Sequence, residues 1–181
     1  MRIYCTDNLE VKIIEPQIFV DDRGYFFESF RQDFIEKEIG DINFIQENES
    51  KSILGTLRGL HYQIPPFAQS KLVRVVEGRV LDIAVDIRKG SPNFGKYVAV
   101  ELSEDNKRQL FIPRGFAHGF LTLSDRATFL YKVDNYYSKE HERGIFYGDE
   151  ILNIKWNGSL DGVKVSDKDR YLPKFIDSEC M

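Results

Sequence analysis

The stretch Arg79–Arg88, RVLDIAVDIR, decides the fold of this chain. Apolar residues alternate along it with Asp, Ala and Arg, which is typical of a β-strand with one buried face. The apolar positions are Leu81, Ile83, Val85 and Ile87. Leu72–Val76, LVRVV, precedes this stretch across Glu77-Gly78. Because Gly78 readily takes a positive φ, the pattern predicts two strands joined by a tight turn.

Further segments rich in β-branched and aromatic residues lie on both sides, between Gly, Pro, Asn and Asp. They are Val11–Glu15, Phe26–Ser29, Asn43–Ser50, Lys96–Leu102, Gln109–Ile112, Gly119–Leu123, Thr128–Val133 and Gly144–Tyr147. Helical patterns are few: Arg31–Ile39, with Gly40 as its C-terminal cap, and a short turn at Asp167–Asp169. The sequence therefore predicts an all-β jelly-roll barrel with a few short helices and a ligand cavity at its mouth.

Length and composition limit the classes of protein. The 181 residues contain no linker or repeat, so residues 1–181 are expected to form a single domain. The net charge of −4 argues against nucleic acid or an anionic membrane as a partner. Cys5 and Cys180 lie at opposite ends, which excludes a disulfide framework and a CxxC metal site. Without a signal peptide or membrane span, a cytoplasmic location is expected.

Three histidines are candidates for chemistry: His61, His118 and His141. His61 lies in LRGLHYQ, and His118 lies in PRGFAHGF. Each is compatible with a hydrogen-bonded core histidine. However, Arg58 and Lys71 lie near His61 in the sequence, and nearby positive charge keeps an imidazole neutral and basic. A neutral imidazole is what a proton-abstracting base requires.

The segment PRGFAHGF also matches the PxGxxH half of the cupin pattern. Metal-binding cupins supply two further histidines as HxH in the other half, which here is HYQ. His61 and His118 alone do not complete a metal site. The sequence predicts a metal-free site.

Three other segments are weak signals when taken alone. DDRGYFFESF, residues 21–30, places Arg23 at a turn, where its forked side chain suits a phosphate. YKVDNYYSKEHERG, residues 131–144, interleaves tyrosines with charges, and VSDKDR, residues 165–170, resembles the start of a helix. Taken alone, the first segment indicates a surface turn, the second indicates packing along a strand, and the third indicates only the start of a helix.

Together these segments resemble the dTDP-4-dehydrorhamnose 3,5-epimerase family. The matching segments, which run in order from residue 21 to residue 169, are DDRGYFFESF, FIQENESKS, LRGLHYQIPP, QSKLVRVVEGRVLDIAVDIRKGSPNFG, FIPRGFAHGFLTLS, YKVDNYYSKEHERGI and SDKD. The resemblance implies a cupin barrel, a homodimer, and no metal or organic cofactor. It also implies inversion of C3 and C5 of dTDP-4-dehydro-6-deoxy-D-glucose, giving dTDP-4-dehydro-L-rhamnose.

The resemblance implies a role for individual residues. His61 is similar to the family's general base, and Asp169 to the carboxylate that orients it. Tyr131 resembles the general acid on the opposite face of the sugar, and Lys71 the cation at the enolate oxygen. Tyr137 resembles the aromatic stacking residue. Positions similar to the family's nucleotide-sugar contacts are Arg23, Glu28, Gln46, Glu47, Asn48, Arg58, His118, Glu142 and Lys168.

These residue types suit the chemistry. A 4-keto group acidifies the hydrogens on C3 and C5, so a base can form an enolate, a cation can stabilise it, and an acid can return the proton. No GxGxxG or GxxxxGK motif is present for a nucleotide cofactor. Three alternatives remain: an epimerase that acts at C3 only, a non-catalytic cupin that binds sugar nucleotides, and a metal-dependent cupin.

Overall fold

The computed structural model describes residues 1–8, 10–157 and 160–181. Its strands are β1 (Arg2–Cys5), β2 (Lys12–Glu15), β3 (Phe19–Asp21), β4 (Gly24–Phe26), β5 (Gln46–Ile53), β6 (Leu57–Gln63), β7 (Lys71–Glu77), β8 (Arg79–Asp86), β9 (Tyr97–Ser103), β10 (Gln109–Ile112), β11 (Phe116–Thr122), β12 (Arg126–Val133) and β13 (Glu142–Gly144). The helices are α1 (Gln32–Glu38) and α2 (Asp167–Arg170), and Phe175–Asp177 forms a 3₁₀ turn. The all-β prediction with a few short helices is confirmed.

The strands form two antiparallel sheets and a separate hairpin. One sheet has the order β1-β2-β10-β7-β12-β5, and the other β13-β6-β11-β8-β9, while β3 and β4 form a two-stranded sheet. The two sheets face each other across one apolar core, to which β7, β10 and β12 contribute from the first sheet and β8, β9 and β11 from the second. This face-to-face packing creates the barrel interior.

Two further apolar clusters cover the outer faces of the sheets. The five-stranded sheet packs against the C-terminal part of the chain, including Leu152, Trp156 and Phe175. The six-stranded sheet packs against α1 through Ile35. The short C-terminal elements are therefore held against the barrel by burial of apolar side chains.

The tight turn at Gly78 is confirmed, but it connects the two sheets rather than two paired strands. β7 belongs to the six-stranded sheet and β8 to the five-stranded sheet. Gly78 has a φ of +76°, and a Cβ there would lie 2.0 Å from the carbonyl oxygen of Arg126. Glycine is required at this position on both counts.

The prediction of one buried face for RVLDIAVDIR was wrong, because both faces are buried. Leu81 and Ile83 lie on the outer face, under the C-terminal segment. Val80 and Ala84, in the alternate row, belong to the core between the sheets. Asp82, in that same row, has 0% exposure. The alternation correctly shows which residues share a face of the strand. Whether a face is buried depends on elements from distant parts of the chain that pack against it.

Several strand boundaries also differ from the predictions. Phe26–Ser29 is not a strand beyond Phe26, and Asn43–Ser50 is a strand only from Gln46 onward. The strand expected at Gly144–Tyr147 is instead Glu142–Gly144. β6 was missed because its polar residues and central Gly59 lack a strand pattern, and pairing with β11 and β13 makes it a strand.

Candidate active site

A cavity of about 570 Å³ opens between the sheets at one end of the barrel. It is lined by residues of β6, β7, β11, β12, β13 and α2, which converge from distant parts of the chain. The predicted site residues that line it are Arg58, His61, Lys71, His118, Tyr131, Tyr137, Glu142, Lys168 and Asp169.

His61 and Asp169 form a hydrogen-bonded pair at the cavity wall. The Oδ1 atom of Asp169 lies 2.7 Å from Nε2 of His61, and its Oδ2 accepts a hydrogen bond from the backbone N–H of Gly59 at 3.3 Å. Burial favours a higher pKa for Asp169, but the hydrogen bonds from His61 and Gly59 outweigh it and lower the pKa. Asp169 is therefore ionised, and His61 donates from Nε2, which leaves the lone pair on Nδ1.

α2 places the Asp169 carboxylate. Ser166 caps this short helix, and its hydroxyl accepts a hydrogen bond from the backbone N–H of Asp169 at 3.1 Å. Asp169 is 3% exposed. The SDKD segment therefore presents one buried carboxylate to β6 from a capped helical turn.

Lys71 reaches the same cavity from the opposite sheet. Its Nζ donates a hydrogen bond to the carbonyl oxygen of His61 at 3.4 Å. Burial lowers the pKa of Lys71 to about 8, although the negative charges of Asp82 and Glu142 oppose this shift. Lys71 is a buried cation at the cavity wall that remains mostly protonated at neutral pH.

Tyr131 contributes a half-buried phenol from β12. It pairs with Asn48 of β5 in the antiparallel register, and its ring centroid lies 6.2 Å from that of Phe129. Burial raises the pKa of Tyr131, while the positive charge of Arg58 opposes this. The phenol is therefore neutral and able to donate a proton.

His118 and Asp82 form a second pair, deeper in the barrel. Nε2 of His118 lies 3.0 Å and 3.1 Å from the two oxygens of Asp82. Burial lowers the pKa of His118, against the opposing charge of Asp82. Sequence reasoning missed Asp82 as a partner. Asp82 lies in the polar row of RVLDIAVDIR, which the alternation predicts to face solvent, so the pattern carried no signal for a buried partner.

Charged and aromatic groups gather at the cavity mouth. Glu142 forms an ion pair with Lys168 and accepts a hydrogen bond from the Tyr137 hydroxyl at 2.9 Å. Burial favours a higher pKa for Glu142, but these hydrogen bonds outweigh it and lower the pKa. Arg58, which is exposed, donates from Nε to Ser52 at 3.0 Å. The mouth therefore offers two cations and a tyrosine to an anionic ligand.

The structure does not bring all predicted residues to this cavity. Arg23 and Glu28 are exposed and lie outside its lining, and Arg23 forms an ion pair with Asp21 at 2.6 Å. Three predicted residues of β5 also lie outside the lining: Gln46, Glu47 and Asn48. Gln46 donates a hydrogen bond to Asn48 at 2.8 Å, whereas Glu47 forms an ion pair with Lys132.

Gln63 lines the cavity and was not among the predicted contacts. Its amide donates to the carbonyl oxygen of Tyr136 at 3.1 Å, and its Oε1 accepts from the backbone N–H of Ser138 at 2.6 Å. Gln63 thus holds the segment that carries Tyr137. Its amide also donates to the nearby carbonyl oxygen of Phe67 at 2.7 Å. No local pattern identifies the role toward Tyr137, because Tyr136 and Ser138 lie more than 70 residues away along the chain.

In the described ranges, no three His, Cys, Asp or Glu side chains come together as a metal-binding group. None of the helices in the same ranges is long and apolar enough to cross a membrane.

Two facing sheets around a cavity with a carboxylate-bound histidine, a neutral tyrosine and a buried lysine define a proton-transferring enzyme of the cupin-barrel class.

Comparison with known proteins identifies the family. Residues 6–177 match the family model of dTDP-4-dehydrorhamnose 3,5-epimerase. The chain is 53% identical to the dTDP-4-dehydrorhamnose 3,5-epimerase of Shigella flexneri, covering 99% of this chain and 98% of the relative. The chain belongs to the dTDP-4-dehydrorhamnose 3,5-epimerase family, and it is an isomerase.

Solved structures agree with this assignment and confirm the cupin fold. The dTDP-4-dehydrorhamnose 3,5-epimerase of Elizabethkingia anophelis is 46% identical with a TM-score of 0.94, over 98% of this chain and 97% of the other. The RmlC enzyme of Legionella pneumophila, solved with dTDP-4-keto-L-rhamnose, is 48% identical with a TM-score of 0.94, over 97% and 93%. ChmJ, a 3′-monoepimerase from Streptomyces bikiniensis, is 32% identical with a TM-score of 0.87, over 96% and 87%.

Proposed function

We propose that this chain inverts C3 and C5 of dTDP-4-dehydro-6-deoxy-D-glucose, with His61 as the base and Tyr131 as the acid. The observation that carries the proposal is the presence of the His61–Asp169 pair, Lys71 and Tyr131 in one cavity. The product is dTDP-4-dehydro-L-rhamnose. The sequence is closer to the 3,5-epimerases compared above than to the 3′-monoepimerase, which favours action at both carbons.

The first step removes a proton from carbon. Since Nε2 of His61 donates to ionised Asp169, Nδ1 holds the lone pair that accepts the proton from C3 or C5. The electron pair of the broken C–H bond moves into the carbonyl group and forms an enolate at O4. Asp169 stabilises the resulting imidazolium, as the carboxylate does in other His–Asp pairs.

Lys71 stabilises the enolate oxygen. Its ammonium group is buried at the cavity wall, where water screens its charge poorly. Preorganised positive charge at a developing oxyanion is often the largest single contribution to catalysis. We assign Lys71 this role because its ammonium group lines the same cavity and donates a hydrogen bond to the backbone oxygen of His61.

The second step returns a proton from the opposite side. Tyr131 lies on the sheet that faces β6, the strand of His61. Its neutral phenol donates a proton to the enolate carbon, and the configuration is thereby inverted. Before the next turnover the His61 imidazolium loses its proton to solvent, and the phenolate takes one up.

The nucleotide part of the substrate occupies the cavity mouth. Arg58 and Lys168 meet the negative charge of the diphosphate, and the exposed ring of Tyr137 stacks on the base. Glu142 and His118 contact the sugar. The solved Legionella relative carries dTDP-4-keto-L-rhamnose, which has the same chemical groups.

A homodimer completes the site. The β3–β4 hairpin exposes four large apolar side chains: Phe19 (54%), Val20 (79%), Tyr25 (58%) and Phe26 (66%). An isolated hairpin with this apolar surface calls for a partner. We propose that a second copy covers it and receives Arg23 and Glu28 in its cavity, beside Gln46, Glu47 and Asn48.

Hybrid dimers test this arrangement. Mixing inactive Arg23→Ala with inactive His61→Ala is expected to restore part of the activity, because one of the two sites then receives intact residues from both copies. Mass spectrometry of tagged copies shows whether the subunits exchange. If they exchange and no activity is recovered, the result would contradict a shared site.

Proton transfer next to a ketone needs no redox group, and HYQ stands where metal cupins have HxH. We propose a single catalytic domain, residues 1–181, that works in the cytoplasm without metal or organic cofactor. Exhaustive chelation is expected to leave turnover unchanged. Activity lost with chelator and restored by one metal ion would contradict this.

Solvent deuterium incorporation tests the proposed reaction. The substrate is incubated with the enzyme in D₂O, and NMR reads both the labelled carbons and the configuration of the product. Label at C3 and C5 with inversion at both is expected. Label at C3 alone would identify a C3-only epimerase, and no label with wild-type enzyme would overturn the proposal.

A further inference from the structure

A buried carboxylate beside the cavity has no part in the roles above. Asp82 has 0% exposure, and it lies in the inward row of β8 together with Val80 and Ala84. Both of its oxygens are within hydrogen-bond distance of Nε2 of His118, and no other described donor is bonded to them. A charge in apolar surroundings is costly unless another charge or several donors compensate it. One imidazole N–H is little compensation, so a second partner is expected.

Lys71 of the facing sheet is the compensating charge. Burial lowers the pKa of Lys71, and the negative charge of Asp82 is the main influence that opposes the shift. Burial likewise raises the pKa of Asp82, and the charges of His118 and Lys71 oppose that shift. The two groups thus stabilise each other's charged form across the barrel interior.

His118 lies in the same cluster and also lines the cavity. Its burial and the charge of Lys71 disfavour the imidazolium, so the ring is neutral. Donation from Nε2 to Asp82 then leaves the lone pair on Nδ1, the nitrogen available to a ligand. The other titratable groups that line this cavity are Arg58, His61, Tyr62, Tyr131, Tyr137, Glu142, Lys164, Lys168 and Asp169.

We propose that Asp82 is a positioning residue of the reaction: it fixes His118 in the tautomer with the proton on Nε2, and its negative charge keeps the Lys71 ammonium protonated at the cavity wall. This inference rests on the proposed role of Lys71 at the enolate oxygen. Asp82 itself does not line the cavity and acts only through His118 and Lys71.

The substitution Asp82→Asn removes the charge and keeps an oxygen that accepts from His118. We expect kcat to fall roughly 10-fold, the scale on which outer-shell partners act, with little change in KM. We also expect the alkaline limb of the kcat–pH profile to move to lower pH, because Lys71 loses its proton more readily without the neighbouring anion. A folded Asp82→Asn variant whose alkaline limb is unmoved would overturn the inference.

Asp86→Asn is the matched control. Asp86 lies on the same strand with 0% exposure, but it is bonded to Arg88 and Ser91, away from the cavity. This variant removes a buried carboxylate of the same strand, so it reports any general effect on stability. Its alkaline limb is expected to coincide with that of the wild type, and an equal shift in both variants would contradict a specific role for Asp82.

A measurement on the wild-type protein does not depend on the folding of either variant. The chain has three histidines, so ¹⁵N NMR signals can be assigned by subtraction with His61→Asn and His141→Gln. At neutral and mildly alkaline pH, His118 is expected to be neutral with Nδ1 unprotonated. An imidazolium or the opposite tautomer would overturn the inference. This NMR measurement needs no substrate. It therefore tests the tautomer of His118 even if the deuterium assay shows no exchange and overturns the proposed function.

Discussion

The two His–Asp pairs of this barrel have the same chemical groups in opposite surroundings. His61 and Asp169 are separated by 108 residues and meet at the cavity wall, where the histidine side chain is 29% exposed. His118 and Asp82 are separated by 36 residues on adjacent strands, and their side chains are 8% and 0% exposed. Both histidines line the cavity, and they occupy directly opposite positions on the neighbouring strands β6 and β11.

The carboxylates of the two pairs have pKa values shifted in opposite directions. Burial favours the neutral acid in both, but at Asp169 the hydrogen bonds from His61 and from the backbone N–H of Gly59 outweigh it, and the pKa is lowered. Among the described residues, the Asp82 carboxylate is hydrogen-bonded only to His118, and burial raises its pKa. Burial is the largest influence on both carboxylates, and at the fully enclosed Asp82 it outweighs the neighbouring histidine. At Asp169 the hydrogen bond from His61 is the largest opposing influence and, with the bond from Gly59, it outweighs burial, so the depth of the site decides the direction of the shift.

The largest expected effect separates the two histidines. His61→Asn removes the base, so solvent exchange at both carbons is expected to fall by about 10²–10⁴-fold while the protein stays folded. The assay is deuterium incorporation read by NMR, with thermal unfolding as the check on folding. His141→Gln is the matched control, since His141 bonds to Ser138 and is not in the cavity lining. A folded His61→Asn variant with wild-type turnover would assign the base elsewhere.

Tyr131→Phe tests whether the His61 pair works without an acid opposite it. Loss of the hydroxyl blocks reprotonation but leaves His61 able to form the enolate. Epimerised product is therefore expected to fall by about 10²–10⁴-fold, far more than exchange on the side of the base. Both quantities are measured in one NMR time course. Near-normal epimerisation would move the acid role to another residue, with Tyr137 the first candidate.

A smaller effect is expected at Asp169. Asp169→Asn keeps an oxygen that accepts from His61 but removes the charge that stabilises the imidazolium. Turnover is expected to fall by roughly 10- to 100-fold, less than after loss of the imidazole itself. Asp167→Asn, an exposed carboxylate of the same helical turn, is the control. A loss as large as that of His61→Asn would indicate that Asp169 has a further role, such as proton transfer of its own.

The smallest effect concerns stability against pH. The lowered pKa of Asp169 means that its contribution is present above the unfolded value near 3.8 and is lost as pH falls through the folded value. The free-energy difference between wild type and Asp169→Asn should therefore shrink in acid. Asp82 has a raised pKa, so its ionised form lowers the free energy of unfolding, and this penalty disappears in acid. The free energy of unfolding of the wild type should therefore rise relative to that of Asp82→Asn as pH falls through the folded pKa of Asp82. Urea midpoints measured across pH decide this, and parallel curves for the two variants would contradict the contrast.

The sequence by itself determined much of the secondary structure. Alternation in RVLDIAVDIR and the glycine at position 78 correctly predicted a strand and a tight turn, because both follow from local backbone geometry. Motif resemblance also named His61, Lys71, Tyr131 and Asp169, which the structure places around one cavity. These residues were found through similarity of whole segments, since no local rule relates Asp169 to a histidine 108 residues away.

Only the tertiary structure decided what covers each face and which charges meet. Strand periodicity shows which side chains share a face, but the C-terminal segment buries the outer face of β8, and the opposite sheet buries the inner one. The same packing places Asp82 beside His118 and sets its charge against that of Lys71 on a strand of the facing sheet. Burial and electrostatic neighbours are properties of the assembled barrel, because they depend on residues that are far apart in the chain and meet only when the sheets pack.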